Sequence, residues 1–441
     1  MSRSALFLPS CRGGGFGHIN RCLALARALE RRGWEVTFAL EGQHATRIEK
    51  MGMSVQRPHR APLRPMRRLG RLVTRWRRPP PSPAYLLFTD MSYQIVRDGF
   101  YAPDVVRRAA EADIALVRRL EPDVLIGDTW PLTHMVGIRT GLPVVQIIKT
   151  ILHPQHPDLY WWDAPPPGLI SPDVRPAFNP VLESWGMAPI RRAEDTLQGD
   201  LFIVPGIPTL DPLPDRVTRT HYVGALIGSG GAPEPAAPEW LDRIPRDRPL
   251  VYITMGGGAE PVDARRLCAT LYASVADAPW QVILSTGQGV SPDTLPHPPK
   301  NVIVRDWVPG TAVIRRSALV VYHGGYGTTM ELVRYGVPAV VLPFHSEQES
   351  NGRRLEACGA AKVLSPASNH ETMRLVHSRW PCGEFTTWIQ PESPLTPDTL
   401  HEAIAQMLTD PGYHSAACAL KEESDRYGGV ERAGDLIESL A

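Results

Sequence analysis

Residues 318–351 read Ala-Leu-Val-Val-Tyr322, His323-Gly-Gly-Tyr-Gly327-Thr328-Thr329-Met-Glu331, Leu-Val-Arg-Tyr-Gly336-Val-Pro338-Ala-Val-Val-Leu-Pro343 and Phe-His-Ser-Glu347-Gln348-Glu-Ser-Asn351. The apolar, β-branched run at 318–322 predicts a buried parallel strand. A glycine-rich turn follows and opens a short helix, which Gly336 and Pro338 stop. The run at 339–342 predicts the next strand. Glycines in such a turn let backbone N–H groups approach a ligand, and the helix N-terminus favours an anion. A phosphate fits both features.

The chain opens in the same way. Residues 5–8 read as a strand, and Arg12-Gly13-Gly14-Gly15-Phe16-Gly17-His18 follows. Ile19, Leu23, Ala26 and Leu29 then fall at helical spacing, Gly33 ends that helix, and 35–40 reads as strand two. His18 stands at the helix start, where the positive end of the dipole disfavours imidazolium. A neutral imidazole there can act as general base or simply cap the helix. Residues 123–127 read as a buried strand ending in Asp128, at the C-terminal edge where open α/β sheets bind ligands. Asp128 fits a ligand-facing carboxylate and a helix cap equally well. Further strands are read at 143–148, 200–204, 250–254, 280–284 and 301–304, and helices at 111–120, 399–408 and from about 419 to the end.

The motifs resemble the donor-binding signature of UDP-glycosyltransferase-like enzymes. The matching pieces are His-Gly-Gly-x-Gly-Thr-x-x-Glu, Gly-Val-Pro, and an acid-Gln pair with Asn three residues on. They span about thirty residues at fixed spacing, far more specific than a lone glycine motif. Gly17-His18 and the helix after it resemble the acceptor-side opening of the same enzymes. The resemblance implies an α/β protein of the GT-B fold, with two Rossmann-like domains facing a central cleft. Residues 1–223 would bind the acceptor and 224–441 the nucleotide sugar, with a last helix at about 425–441 packing back on the first domain.

The resemblance also implies roles. His18 would be the catalytic base and Asp128 its partner. His323, Gly325, Gly327 and Thr328, with Gly256 and Gly257 of the Met255-Gly-Gly-Gly loop, would hold the diphosphate. Trp307 would stack on the nucleobase, the Val308 backbone would read its edge, and Glu331 would bind the ribose. Glu347 and Gln348 would bind sugar hydroxyls. The reaction would be inverting transfer from a UDP- or dTDP-sugar to a small-molecule or lipid-linked hydroxyl, without metal or other cofactor. Two alternatives remain open: a nucleotide-sugar hydrolase using the same histidine, and a non-catalytic carbohydrate-binding partner on this scaffold.

Composition narrows the rest. A chain of 441 residues exceeds one ordinary core, so two domains are expected. A net charge of +1 supplies no bulk field for nucleic acid. Six scattered cysteines without Cys-x-x-Cys predict neither a disulfide framework nor structural zinc, which fits a reducing cytoplasm. No signal peptide is read at the N-terminus and no apolar run reaches about 20 residues. The 45 prolines concentrate in 57–83, 154–180 and 204–250, which read as loops and a linker.

Within 57–78 stand nine arginines, among them Arg67, Arg68 and Arg71, interleaved with apolar residues. They suit an anionic acceptor, an anionic membrane surface, or a solvated basic loop. Gly17 and the aromatic loop with Trp161 and Trp162 would contribute to the acceptor pocket. His153, His156 and Asp158 sit in a Pro-broken loop and are not read as a metal site. Residues 366–394 carry no motif and are read as a surface elaboration or a lid.

Overall fold

The computed structural model describes residues 2–12, 16–58, 83–156, 166–227, 237–256, 264–287, 290–368 and 370–440. The first half contributes strands β1 (Ser4–Pro9), β2 (Glu35–Ala39), β3 (Ser54–Gln56), β4 (Tyr85–Leu87), β5 (Val124–Asp128), β6 (Val144–Ile147), β7 (Leu201–Val204) and β8 (Thr220–Tyr222). All but β4 pair in parallel, in the order β3-β2-β1-β5-β6-β7-β8. The second half contributes β9 (Leu250–Thr254), β10 (Gln281–Ser285), β11 (Val302–Arg305), β12 (Leu319–Tyr322), β13 (Ala339–Val341) and β14 (Ala361–Val363), parallel in the order β11-β10-β9-β12-β13-β14.

Both sheets are covered on both faces, which explains their continuous apolar runs. Along β1, Ala5 and Phe7 enter one core while Leu6 and Leu8 enter the other. Along β9, Val251 and Ile253 face one core while Leu250 and Tyr252 face the other. This is the expected α/β architecture of two Rossmann-like units.

Two expectations need correction and a third gains detail. The C-terminal stretch from about 419 is two helices, Pro411–Ser424 and Gly429–Leu440. Gly428 and Gly429, both at positive φ, break it. Val430, Ala433, Leu436 and Ile437 of the second helix pack into the first-half core. Residues 154–180 are not wholly loop: the helix Arg175–Ser184 begins there, tolerating Pro180. The stretch 366–394, read as a surface elaboration or a lid, is a hairpin tied to the first half. It forms β15 (Arg374–Trp380) and β16 (Gly383–Gln390), and β16 pairs antiparallel with β4 of the first half. Phe385 and Cys382 of this hairpin lie in the first-half core.

All six cysteines are free. Among the described residues, no helix is long and apolar enough to cross a membrane.

Candidate active site

Each sheet has one reversal of strand order. The first lies between β1 and β5, the second between β9 and β12. Crossovers leave in opposite directions at such a point, and the strand C-termini open a crevice. Pro9 pairs with Asp128 in the first sheet and Thr254 with Tyr322 in the second. The crevices therefore hold His18 and Asp128 on one side, and Gly256 and His323 on the other. They face each other closely: a Cβ on Gly327 would lie 3.7 Å from the Cα of Gly17.

On the first side, His18 Nδ1 lies 2.7 Å from Asp128 Oδ1. A carboxylate only accepts, so Nδ1 carries the hydrogen and Nε2 keeps its lone pair. Asp128 is fully buried, and Arg21 binds both its oxygens, through Nε at 2.5 Å and Nη2 at 2.6 Å. Despite burial, the Arg21 and His18 charges hold the Asp128 carboxyl down at about 2. Burial lowers the His18 pKa and Arg21 adds to this, while Asp128 opposes both. His18 is thus neutral near pH 7, with 29% of its side chain exposed. Thr129, the next residue after Asp128, takes φ +56° although it is β-branched. That conformation costs on the order of 1–3 kcal/mol, and such strain collects at functional sites.

On the second side, the His323 ring is sandwiched by glycines. A Cβ on Gly256, at φ +80°, would stand 2.6 Å from the ring, and one on Gly325 only 2.4 Å from Nε2. Burial lowers the His323 pKa to about 4, and its buried Nδ1 has no partner among the described residues. Gly325 caps the helix Tyr326–Tyr335, whose first turn presents the Gly327 and Thr328 amides. Glu331 receives a 3.3 Å hydrogen bond from Thr311 Oγ1, and burial raises its pKa to about 7. Val308 is buried, whereas Trp307 is 57% exposed. Trp307 borders an open cleft of about 460 Å³ shared with Gln43, Thr46, Arg47 and Lys50 of the first half.

Glu347 and Gln348 differ in their surroundings. Gln348 is buried, and its Oε1 accepts from the Phe344 N–H at 2.8 Å. Glu347 faces the first half: Lys149 Nζ pairs with Oε1, and Gln94 Nε2 donates to Oε2 at 2.8 Å. Gly257, Trp161, Trp162, Arg67, Arg68 and Arg71 lie outside the described residues. Arg57, at the start of the basic segment, pairs with Glu49. His153 is a core residue, its ring tilted against Phe202 and bonded to Thr220 Oγ1.

Sequence reasoning missed Arg21, Lys149, Gln94, Tyr326 and Asp211. The last two join the halves, Tyr326 O–H donating to Asp211 Oδ2 at 2.7 Å, with Arg354 on Oδ1 at 2.9 Å. Arg21 was legible as the helical i+3 neighbour of His18. Lys149 was legible from the rule that flagged Asp128, since it follows the C-terminal end of β6.

Comparison with known proteins agrees with this geometry. The family described as "Erythromycin biosynthesis protein CIII-like, C-terminal domain" matches residues 269–379. A "PGL/p-HBAD biosynthesis glycosyltransferase" of Mycobacterium tuberculosis is 27% identical over 374 residues, covering 79% of this chain and 78% of the relative. Among solved structures, CalG4, "the Calicheamicin Glycosyltransferase", aligns with a TM-score of 0.70 at 19% identity, covering 100% of this chain and 98% of that one. "Spinosyn Rhamnosyltransferase SpnG complexed with thymidine diphosphate" aligns at 0.65 and 19% identity, covering 99% of both chains.

Proposed function

We propose that the chain is a family 1-like nucleotide-sugar glycosyltransferase, a reading supported by its matches to such proteins, and that it performs inverting transfer from a UDP- or dTDP-sugar to the hydroxyl of a small-molecule or lipid-linked acceptor. His18 Nε2 takes the acceptor proton. The acceptor oxygen attacks the anomeric carbon as the bond from that carbon to the β-phosphate oxygen breaks, and the nucleoside diphosphate leaves. Asp128 holds the His18 tautomer and stabilises the imidazolium as it forms. The leaving charge meets the Gly327 and Thr328 amides and the positive end of their helix, with His323 beside them. The nucleobase stacks on Trp307 beside the Val308 backbone, and Glu331 receives the ribose hydroxyls. In this reading the amides, the helix end and His323 meet the leaving charge without a metal.

The observation that carries this reading is the 2.7 Å His18–Asp128 contact at one switch point, directly across from the glycine-flanked His323 turn at the other. Thymidine diphosphate in a rhamnosyltransferase of the same fold supports the dTDP option. The test is nucleoside diphosphate release from UDP-glucose and dTDP-glucose, with and without phenolic and aliphatic alcohols and with EDTA throughout. Acceptor-dependent release with inverted product stereochemistry is expected. Acceptor-independent release would make the protein a hydrolase, absence of turnover a binding protein, and EDTA sensitivity a metal-dependent enzyme.

A further inference from the structure

We propose that Lys149 is a positioning residue for the donor sugar, reaching from the acceptor half across the cleft to hold Glu347 where its carboxylate meets the sugar hydroxyls. This rests on the donor-site reading above. Glu347 belongs to the second half, on the first turn of the helix Ser346–Ala357. Both of its oxygens are nevertheless engaged from the first half: Lys149 Nζ takes Oε1, and Gln94 Nε2 takes Oε2 at 2.8 Å. The Lys149 side chain is only 3% exposed and that of Glu347 17%. A pair this buried is costly to desolvate and strongly destabilising when one partner is removed, so its value lies in fixing a geometry. The sugar subsite is then complete only when the two halves are together, which couples sugar recognition to the closed cleft.

The surroundings favour this role over general charge balance. The nearby carboxylates Asp128 and Asp211 already hold Arg21 and Arg354. The Lys149 ammonium also lies 5.6 Å from the centre of the Tyr326 ring, on the helix that carries the phosphate-facing amides. Burial, then Arg21, and more weakly Arg354, pull the Lys149 pKa down to about 7, against Asp211 and Asp128. The other groups facing this space behave differently. His18, His323 and His345 are all lowered and neutral at pH 7, and Tyr326 is raised well above its ordinary value. Lys149 is thus the group among these that loses a positive charge just above neutrality, and sugar binding should weaken there.

The experiment compares calorimetric Kd values for UDP, UDP-glucose, dTDP and dTDP-glucose at pH 6.5 and 8.5. In Lys149→Met, the sugar nucleotide should bind about tenfold more weakly while the bare nucleoside diphosphate changes less than about twofold. Glu347→Gln should do the same, and the double variant should be no worse than either single one, as a shared contact requires. Lys149→Arg, which cannot lose its proton, should keep sugar-nucleotide affinity at pH 8.5 where wild type declines. If Lys149→Met fails to fold, Gln94→Leu carries the comparison, with an expected loss of about threefold confined to the sugar nucleotides. Equal loss for sugar nucleotide and bare diphosphate, or no loss, would overturn the proposal. Failure of the wild type to bind any of the four would instead remove the donor reading on which it stands.

Discussion

The two glycine-rich turns occupy equivalent places, each after a strand at a sheet's switch point, yet they are opposites chemically. The His18 turn is a charged cluster built around one acceptor: His18 and Arg21 both donate to the Asp128 carboxylate, within 2.7 Å. The His323 turn is neutral and unsatisfied, with buried Nδ1 atoms on His323 and His345 lacking partners among the described residues. Leaving such an atom unpaired costs on the order of 1–3 kcal/mol. Under the proposed function, one fold element would serve two purposes. A base needs its orienting groups assembled before substrate arrives. An anion-binding turn needs donors directed at the ligand rather than at the protein.

The sharpest way to break this comparison is to remove the assembled side. His18→Ala should lower kcat by about 10²–10⁴ with dTDP affinity within about twofold of wild type. Asp128→Asn should lower kcat by about 10²–10³, because an amide cannot support imidazolium in the same way. Pre-steady-state turnover and calorimetry on the same preparations decide the matter. A matching loss of nucleotide affinity would mean the two sides are not separable.

The converse variant strikes the unsatisfied side. His323→Leu should raise the donor KM by about 10- to 100-fold and leave the pH profile of kcat in place, since His323 is neutral across the working range. Gly325→Ala, whose new methyl would collide with the ring, should act in the same direction. A loss confined to kcat would contradict the division of labour.

A subtler sharpening uses Arg21. Its guanidinium lowers the His18 pKa. Arg21→Gln should therefore raise that pKa and shift the acid limb of kcat/KM to higher pH. The variant should be about tenfold less active at pH 6 than at pH 8, where wild type stays flatter. A limb that stays in place would assign Arg21 to folding alone.

The sequence disclosed the strands and the chemistry-bearing turns because both are local signals. Leu250–Thr254 is recognisable from its apolar run alone, and His18 from the glycine and helix around it. What it concealed were relations between distant segments. The hairpin Arg374–Gln390 alternates well enough, but its partner β4 lies nearly three hundred residues earlier, and no local pattern joins them. Lys149 follows an apolar strand and has no motif; its meaning comes from Glu347, 198 residues away. Gln348 sets its Oε1 on the Phe344 N–H, a contact that no local pattern announces. Periodicity fixes which face a residue occupies, not what the opposing domain brings to that face.

The smallest expected effect lies at the far end of the His18 helix. Arg32 follows its last turn and binds Glu431, Asp435 and Glu438 of the terminal helix Gly429–Leu440, at 2.8, 2.7 and 3.0 Å. The guanidinium is partly covered but its carboxylates are exposed, so water screens the network and its worth is about 1 kcal/mol at most. Hydrogen bonding from Arg32 lowers the Glu431 pKa. A lowered carboxylate contributes stability above its unfolded pKa and loses it as pH falls through the folded value. Arg32→Met should lower the melting temperature by about 1–2 °C at pH 7. The difference from wild type should narrow below about pH 4, where Glu431 protonates in both proteins. The apolar contacts of Val430, Ala433, Leu436 and Ile437 remain, so the helix should stay docked and kcat unchanged. If kcat falls along with the melting temperature, the placement of His18 depends on the terminal helix, and the charged cluster is assembled by both halves of the chain instead of the first alone.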